Sequence, residues 1–218
     1  MFNHALAKKI DHTLLTPNCT YNDVERLCNE AKSYGFAAVC IPPYYVKDAA
    51  RLLEDNMTKV ATVIGFPMGY SNTPAKVEEV KRAIDEGVDE IDVVINILAV
   101  KNKNWSYVRN DIDSMTRAAH LKGKKIKVIV EVGLLTDEEL TQICQLCNDI
   151  DVNYVKTSTG FNGTPVNVKQ VQQLRALLKS DIRIKASGGI NTSRLAEELI
   201  EAGANRIGAS ASLEIIKM

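Results

Sequence analysis

Two lysines in similar surroundings are the first candidates for chemistry. Lys156 lies in the segment 154–158 (YVKTS) and Lys185 in the segment 182–187 (IRIKAS), and both segments have the alternating pattern of a β-strand. Because successive side chains of a strand point to opposite faces, the apolar residues mark one face and each lysine marks the other. The pattern therefore predicts two inward-facing lysines on adjacent strands.

Two ammonium groups at this spacing repel each other. Neighbouring strands lie about 4.8 Å apart, and two charges roughly 5 Å apart at an effective dielectric near 20 repel by about 3 kcal/mol. That energy equals about two pKa units, which would lower the pKa of one lysine from about 10.4 toward about 8. Such a lysine is a competent nucleophile near neutral pH.

Carboxylates are predicted on the same inward face. The alternation places Asp92 of the segment 90–96 (EIDVVIN) inside, together with Glu131 and Cys40, and it leaves Asp89 at the start of its strand. Buried lysines need carboxylate partners, which Asp92, Glu131 and Asp11 can supply. Two interpretations stay open: a structural ion-pair cluster, and a lysine tuned for covalent amine catalysis.

Glycines and hydroxyls follow the last three predicted strands and form a second constellation. Glycine lets backbone N–H groups approach an anion, and a helix N-terminus after the Gly188-Gly189 pair adds partial positive charge. The alternative is that these glycines only make tight turns. The phosphate-binding interpretation includes Thr157, Ser158, Gly160, Gly188, Gly189, Gly208 and Ser210.

Short Val- and Ile-rich runs alternate with amphipathic stretches along the whole chain, and this order predicts serial β-α units. We expect one α/β domain over residues 1–218, folded as a (β/α)8 TIM barrel with its active site at the C-terminal strand ends. An open doubly wound sheet is the alternative, but no GxGxxG or GxxxxGK[ST] motif supports it. The predicted strands are 11–15, 37–42, 60–66, 90–96, 126–132, 153–158, 182–187 and 206–210. The predicted helices are 21–34, 73–86, 105–119, 137–148, 167–178 and 193–202, several of them ending at Gly35, Gly87, Gly123 or Gly203.

The composition is that of an ordinary globular domain. The 218 residues are 45% hydrophobic, and 27 Lys+Arg balance 27 Asp+Glu. This balance argues against nucleic acid as a partner, and we interpret the basic run 122–127 as a solvated loop before a strand. The apolar run 60–68 is too short and interrupted to span a membrane.

The cysteines and histidines predict no metal site. Five cysteines and an N-terminus without the features of a secretory signal indicate free thiols in a reducing cytoplasm. Cys144 and Cys147 have CxxC spacing but lie in a helical pattern without a second pair, so core packing is favoured over zinc or redox chemistry. His12 is expected to face outward from its strand.

Six segments, in order and spacing across nearly the whole chain, resemble the deoxyribose-phosphate aldolase family. They are 10–15 (IDHTLL), 39–42 (VCIP), 89–94 (DEIDVV), 154–160 (YVKTSTG), 185–189 (KASGG) and 206–210 (RIGAS). The resemblance implies a class I aldolase, without metal or cofactor, that interconverts 2-deoxy-D-ribose 5-phosphate with acetaldehyde and D-glyceraldehyde 3-phosphate. It also implies that Lys156 forms the Schiff base, that Lys185 lowers its pKa and that Asp92 is the acid/base carboxylate, with Asp11 and Cys40 as further pocket residues.

The chain departs from the family pattern at three places. Many members have Arg at the position of Asn191 and Ser at the position of Ala211, and some end in a tyrosine that aids proton transfer, whereas this sequence ends at Met218. The expected partner is a small sugar phosphate, and we expect a homo-oligomer, with a dimer favoured. Two other functions stay open: a Schiff-base aldolase for a keto acid or ketose phosphate, and a catalytically silent sugar-phosphate binder.

Overall fold

The computed structural model describes residues 2–217, and its central feature is a closed barrel of parallel strands. Each strand pairs with the next along the chain, and the last strand pairs with the first. The predicted (β/α)8 barrel is confirmed, and the open sheet is wrong. The strands are β1 (Ile10–Thr13), β2 (Ala38–Ile41), β3 (Lys59–Ile64), β4 (Glu90–Val94), β5 (Lys125–Ile129), β6 (Tyr154–Lys156), β7 (Arg183–Ser187) and β8 (Arg206–Ala209).

Helices surround the barrel. Those predicted from periodicity agree with the structure within two residues at each end, whereas four short helices, His4–Ala7, Val46–Leu52, Ile97–Lys101 and Ser212–Ile216, were not predicted. Segments of four to seven residues are too short to show a helical period. The helices are α1 (His4–Ala7), α2 (Tyr21–Tyr34), α3 (Val46–Leu52), α4 (Thr73–Asp85), α5 (Ile97–Lys101), α6 (Trp105–His120), α7 (Asp137–Ile150), α8 (Val168–Leu177), α9 (Ser193–Glu201) and α10 (Ser212–Ile216), with 3-10 turns at Pro43–Tyr45 and Val132–Leu134.

Local signals explain where the long helices begin and end. α2 and α7 begin with capping boxes, in which Thr20 pairs with Asp23 and Thr136 pairs with Glu139. α2 ends at Gly35, whose φ of 72° is a left-handed conformation that glycine adopts without strain. Within residues 2–217, no helix has the length and apolar character needed to cross a membrane.

Several strands end earlier than the sequence predicted, and this difference builds the mouth of the barrel. β4 ends at Val94, and Asn96 instead caps α5 by accepting a hydrogen bond from the Ala99 amide. β5 ends at Ile129, and Glu131 adopts a left-handed φ of 55°. The residues beyond each strand therefore lie in loops at the C-terminal end, where they can line a site.

The strands separate two regions of different character. Their outward side chains pack with the helices in the main hydrophobic core, where a fully buried aliphatic side chain contributes about 1.5–3 kcal/mol. Inside the barrel, an apolar cluster lies near β2 and β3, where Cys40 lies among Ala38, Ala61 and Val63 beneath Leu15 and Phe66. The rest of the interior carries buried charged side chains. The strand alternation thus directs apolar residues outward and charged residues inward.

Candidate active site

Asp92 is the centre of a buried ionic cluster inside the barrel. Its Oδ2 accepts hydrogen bonds from the Nζ atoms of Lys156 at 2.9 Å and Lys185 at 2.8 Å. Its Oδ1 accepts one from Lys127 Nζ at 2.6 Å. Lys156 and Lys185 are direct neighbours across the β6–β7 ladder, as the sequence predicted. The cluster therefore brings three lysines to one carboxylate.

Asp11 holds Lys185 from the other side. The Lys185 Nζ lies 2.5 Å from Asp11 Oδ2, and Arg206 donates a hydrogen bond to Asp11 Oδ1 at 2.6 Å. Arg206 also lies 3.3 Å from Glu90 Oε1. Asp11 therefore contacts Lys185 on the side opposite Asp92. It also reaches Arg206, because β1, which carries Asp11, pairs with β8, which carries Arg206.

The environment stabilises the charged forms of the lysines and carboxylates that surround Lys156. Burial lowers the pKa of Lys185, but the carboxylates of Asp11 and Asp92 outweigh burial and raise that pKa above its ordinary value. Burial raises the pKa of Asp92, but Lys127, Lys156 and Lys185 together hold it well below its usual range. The same two effects act on Asp11. Burial raises the pKa of its carboxyl, but Lys185, Arg206 and Lys127 outweigh burial and lower that pKa below its ordinary value.

The two-lysine repulsion calculated from the sequence is therefore incomplete. It treated Lys156 and Lys185 as an isolated pair, whereas one oxygen of Asp92 lies within 2.9 Å of both ammonium nitrogens. A shared anion attracts each cation at shorter range than the cations repel each other. Of the carboxylates that the sequence offered, Asp92 and Asp11 pair with the lysines, whereas Glu131 instead accepts hydrogen bonds from the amide and hydroxyl of Thr159.

Lys127 was assigned wrongly from the sequence. The basic run 122–127 was interpreted as a solvated loop, but Lys127 is in β5, is fully buried and pairs with Asp92 and Glu90. Burial lowers the pKa of Lys127, but Asp92 and Glu90 outweigh burial and raise it to about 12. The signal was present, because the alternation that turns Glu131 inward also turns Lys127 inward.

A cavity of about 240 Å³ opens above the cluster at the C-terminal end of the barrel. Lys156 lines this cavity, while Lys185 and Asp92 lie behind it. Of the predicted phosphate-site residues, the structure places Gly160, Gly188, Gly189, Gly208 and Ser210 in the lining, next to Asn191. Gly188 and Gly189 have φ values of 103° and 73°, which L-residues rarely adopt. The cavity thus combines one lysine amine with a rim that is rich in glycine.

Four other predicted site residues lie outside this lining. Thr157 and Ser158 join β6 to β7: Thr157 Oγ1 donates to the Ser187 carbonyl at 2.9 Å, and Ser187 Oγ donates to the Ser158 carbonyl at 2.5 Å. Cys40 faces the apolar half of the interior, and Asp11 lies at the base. The Thr157 hydroxyl and the Ser158 carbonyl therefore join the ends of β6 and β7 within the barrel wall.

Phe161 lines the cavity but was not identified from the sequence. Its ring packs edge to face on Phe66, with centroids 5.1 Å apart, and Asn162 donates a hydrogen bond to the Pro67 carbonyl at 3.1 Å. These contacts connect the loops after β3 and β6 across the mouth. No local pattern indicates them, because the partners are about 95 residues apart.

A second cavity, of about 350 Å³, lies on the β2–β3 side of the mouth and shares Leu15 with the first. Its one charged residue, Glu79, accepts a hydrogen bond from the Gly65 amide at 2.9 Å. It offers no amine. We therefore take the cavity that contains Lys156 as the candidate active site.

The remaining candidates for metal or redox chemistry have structural roles. His12 faces outward, as predicted, with Nε2 2.7 Å from Glu30 Oε2. Cys144 and Cys147 are buried in the hydrophobic core, as predicted. Over residues 2–217, no three His, Cys, Asp or Glu side chains are grouped to hold a metal ion.

Comparison with known proteins identifies the family. The model of the DeoC/LacD family of aldolases matches residues 5–217. Deoxyribose-phosphate aldolases of Aciduliprofundum boonei and Thermococcus kodakarensis are 47% and 46% identical to this chain, covering 97% and 100% of it and 96% and 98% of their own lengths.

Solved structures agree with this result. A putative deoxyribose-phosphate aldolase from Coccidioides immitis superposes with a TM-score of 0.94 at 41% identity, over 97% of this chain and 84% of its own. The tetrameric deoxyribose phosphate aldolase of Aeropyrum pernix superposes with a TM-score of 0.91 at 32% identity, over 97% and 89%. A family match along almost the whole chain, with the lysine cluster in its barrel, shows that this chain belongs to the DeoC/LacD family of aldolases.

Proposed function

We propose that this chain reversibly cleaves 2-deoxy-D-ribose 5-phosphate to acetaldehyde and D-glyceraldehyde 3-phosphate through a Schiff base on Lys156. The observation that carries the proposal is that Lys156 lines the cavity while its partners Lys185 and Asp92 lie behind it. The relatives with 45–47% identity over nearly the whole chain are named for this reaction.

Position and charge distinguish Lys156 from the other two buried lysines. Lys185 lies between Asp11 and Asp92, which raise its pKa and keep it an ammonium ion. Lys127 lies deeper, between Glu90 and Asp92. A nucleophilic amine must be neutral and must reach the substrate. Of these three lysines, Lys156 is the one that lines the cavity and so meets the second condition, and its Nζ lies 2.9 Å from Asp92 Oδ2.

The chemistry follows from these positions. Neutral Lys156 adds to the C1 aldehyde, and loss of water with uptake of one proton from solvent forms a protonated imine, a proton that is returned when the imine is hydrolysed. The C2–C3 bond breaks as its electron pair moves toward the iminium nitrogen, which leaves an enamine, while the C3 hydroxyl loses its proton and becomes the aldehyde of D-glyceraldehyde 3-phosphate. Asp92, through a water molecule, receives that proton. Protonation of the enamine at C2 and hydrolysis of the imine release acetaldehyde.

The phosphate site is proposed at the late loops, at Gly160, Gly188, Gly189, Gly208 and Ser210. In the part of the chain that the structure describes, the lining of this cavity has no cationic side chain besides Lys156. Backbone amides and the N-terminus of α9, which begins at Ser193, supply the positive potential. Asn191, which also lines the cavity, adds a neutral donor.

The test is reductive trapping with borohydride in the presence of acetaldehyde, followed by peptide mapping. We expect the adduct on Lys156, and we expect Lys156→Ala to lose activity by several orders of magnitude while it remains folded by circular dichroism. An adduct on Lys185 with none on Lys156 would contradict the assignment. A chelator should leave activity unchanged, and zinc-dependent recovery would exclude a class I mechanism.

Two alternatives predict other results in the same assays. A Schiff-base aldolase for a keto acid or ketose phosphate would be trapped by that donor rather than by acetaldehyde. A silent sugar-phosphate binder would show no turnover of 2-deoxy-D-ribose 5-phosphate.

Location and assembly are part of the proposal. The five free thiols support a reducing compartment, the cytoplasm. We propose a homo-oligomer, with a dimer favoured; the relative from Aeropyrum pernix is described as a tetramer. Light scattering of the purified protein measures its assembly directly.

A further inference from the structure

Below the proposed nucleophile lie three charged groups that no step of the mechanism uses: Lys127 and Glu90, which are buried, and Arg206, which is partly buried. Lys127 Nζ is 2.9 Å from Glu90 Oε2, and Arg206 is 3.3 Å from Glu90 Oε1. Glu90 and Lys127 are at most 2% exposed in their side chains, and Arg206 is 12% exposed. They do not line the cavity that contains Lys156.

These groups connect to the nucleophile through two carboxylates. Lys127 donates a hydrogen bond to Oδ1 of Asp92, which leaves Oδ2 of the same carboxylate to accept hydrogen bonds from Lys156 and Lys185. Arg206 occupies Oδ1 of Asp11, and this contact leaves Oδ2 to Lys185. The ionic contacts are therefore continuous from Arg206 at the base of the barrel to Lys156 in the lining of the cavity.

The charges in this network are unequal when every amine is protonated. Four cationic side chains, Lys127, Lys156, Lys185 and Arg206, then face three carboxylates, Asp11, Glu90 and Asp92. An uncompensated buried charge is costly, because the barrel interior solvates it poorly. When the amine of Lys156 is uncharged, three cations face three carboxylates. The network is electrically neutral only in the form that attacks an aldehyde.

No other described group inside the barrel changes this balance. β2 contributes Cys40, whose pKa is raised by burial, so that the thiol is uncharged at neutral pH. β3 contributes the apolar Ala61 and Val63. Tyr154 of β6 contributes a phenol hydroxyl that accepts a hydrogen bond from Arg183. Glu131, in the loop after β5, is engaged by Thr159 and lies beyond 4 Å of any ammonium group in the described chain. The exposed side chains at the lower rim are solvated and screened: Lys59, Lys125 and Arg183.

We propose that Lys127, Arg206 and Glu90 are positioning residues that set the charge state of Lys156 from the lower half of the barrel. Lys127 and Arg206 favour the uncharged amine, and Glu90 opposes them. The inference rests on the proposed function of Lys156 as the Schiff-base nucleophile. It assigns to the base of the barrel an electrostatic role in a reaction that takes place at its mouth.

The sign of each effect follows from the charge count. Arg206→Gln removes a cation, so the network becomes neutral with Lys156 protonated, and imine formation requires a higher pH. Glu90→Gln removes an anion, so protonation of Lys156 is less favourable, and imine formation extends to lower pH. Two charges about 10 Å apart at an effective dielectric near 20 predict a shift of about one pH unit in each case.

The experiment is single-turnover trapping of acetaldehyde with cyanoborohydride by the full-length protein, from about pH 5 to about pH 9. The rate of adduct formation on Lys156 is followed by mass spectrometry, and the pH of half-maximal rate is compared between variants. We expect Arg206→Gln to move this midpoint up and Glu90→Gln to move it down. Arg206→Lys, which keeps the charge, should leave the midpoint near that of the wild type.

Arg183→Gln is a matched control, because it removes an exposed cation from the same end of the barrel and should leave the midpoint unchanged. Equal midpoints in all variants, or shifts of Arg206→Gln and Glu90→Gln in the same direction, would overturn the inference. A structural disturbance alone would not move the pH midpoints of these two variants in opposite directions. If Arg206→Gln does not fold, the isosteric Glu90→Gln still decides, because an unchanged or higher midpoint refutes the inference. An adduct on another lysine of the wild type would refute the proposed function itself.

Discussion

Gly208 on β8 leaves the space that the Lys185 side chain fills. A Cβ at position 208 would stand 2.9 Å from Cε of Lys185 and 3.0 Å from Cβ of Ser187. Gly208 does not need a left-handed conformation, since its φ is not positive. The sequence assigned this glycine to phosphate binding, and the structure adds a packing reason: Lys185 reaches Asp11 and Asp92 across it.

Gly208→Ala should therefore impair the chemical step more than phosphate binding. The added methyl displaces the Lys185 ammonium, and a misplacement of about 1 Å can lower a rate about 10²-fold. We expect kcat to fall by about 10- to 100-fold for 2-deoxy-D-ribose 5-phosphate and for unphosphorylated 2-deoxy-D-ribose alike. Steady-state kinetics with both substrates test this. A defect confined to the KM of the phosphorylated sugar would instead support a role in phosphate binding alone.

Lys185→Leu should change the pH dependence of imine formation. Without Lys185, the carboxylates of Asp92 and Asp11 lose a shared cation, and Asp92 attracts the protonated amine of Lys156 more strongly. Imine trapping at pH 7 should fall, and it should partly recover at alkaline pH. The measurement is a pH profile of single-turnover trapping, with circular dichroism as the control for folding. Wild-type and variant profiles that differ only by a constant factor would show that Lys185 acts in another way.

Asn191→Arg should strengthen binding of the phosphorylated sugar. Asn191 lines the cavity next to Gly189, and Arg adds a charged donor to a rim that now offers neutral ones. We expect KM for 2-deoxy-D-ribose 5-phosphate to fall by about 10- to 100-fold, as one hydrogen bond to a charged group contributes about 1.5–3 kcal/mol. KM for 2-deoxy-D-ribose should stay the same. The control is Asn191→Gln, which adds length without charge; a similar gain there would exclude an electrostatic cause.

Lys127 should contribute to stability up to alkaline pH. Its pKa rises from 10.5 to about 12 in the folded chain, so its contribution is fully present below about pH 10.5 and is lost as the pH rises to about 12. The shift corresponds to about 2 kcal/mol of unfolding free energy. Urea unfolding across this interval should show a smaller loss of stability in Lys127→Met than in the wild type. The exposed Lys122→Met should lose as much as the wild type, and an equal loss in Lys127→Met would contradict the ion pairing seen here.

The sequence by itself determined the repeating β-α order and the face on which each strand residue lies. Both are local properties: the period of two in a strand places Lys156, Lys185, Asp92 and Cys40 inside, and the structure places them there. The same period of two also places Lys127 inside the barrel, but its position in the basic run 122–127 led to its interpretation as part of a solvated loop.

Only the tertiary structure decided which inward groups meet. Arg206 contacts Asp11, 195 positions away along the chain, because closure of the barrel sets β8 beside β1. Asp92 reaches three lysines from β5, β6 and β7 because the interior is narrow enough for side chains from several strands to converge. Closure, strand ends and cavity shape arise from contacts between distant segments, and the pairing of these charges follows from that geometry rather than from any local pattern.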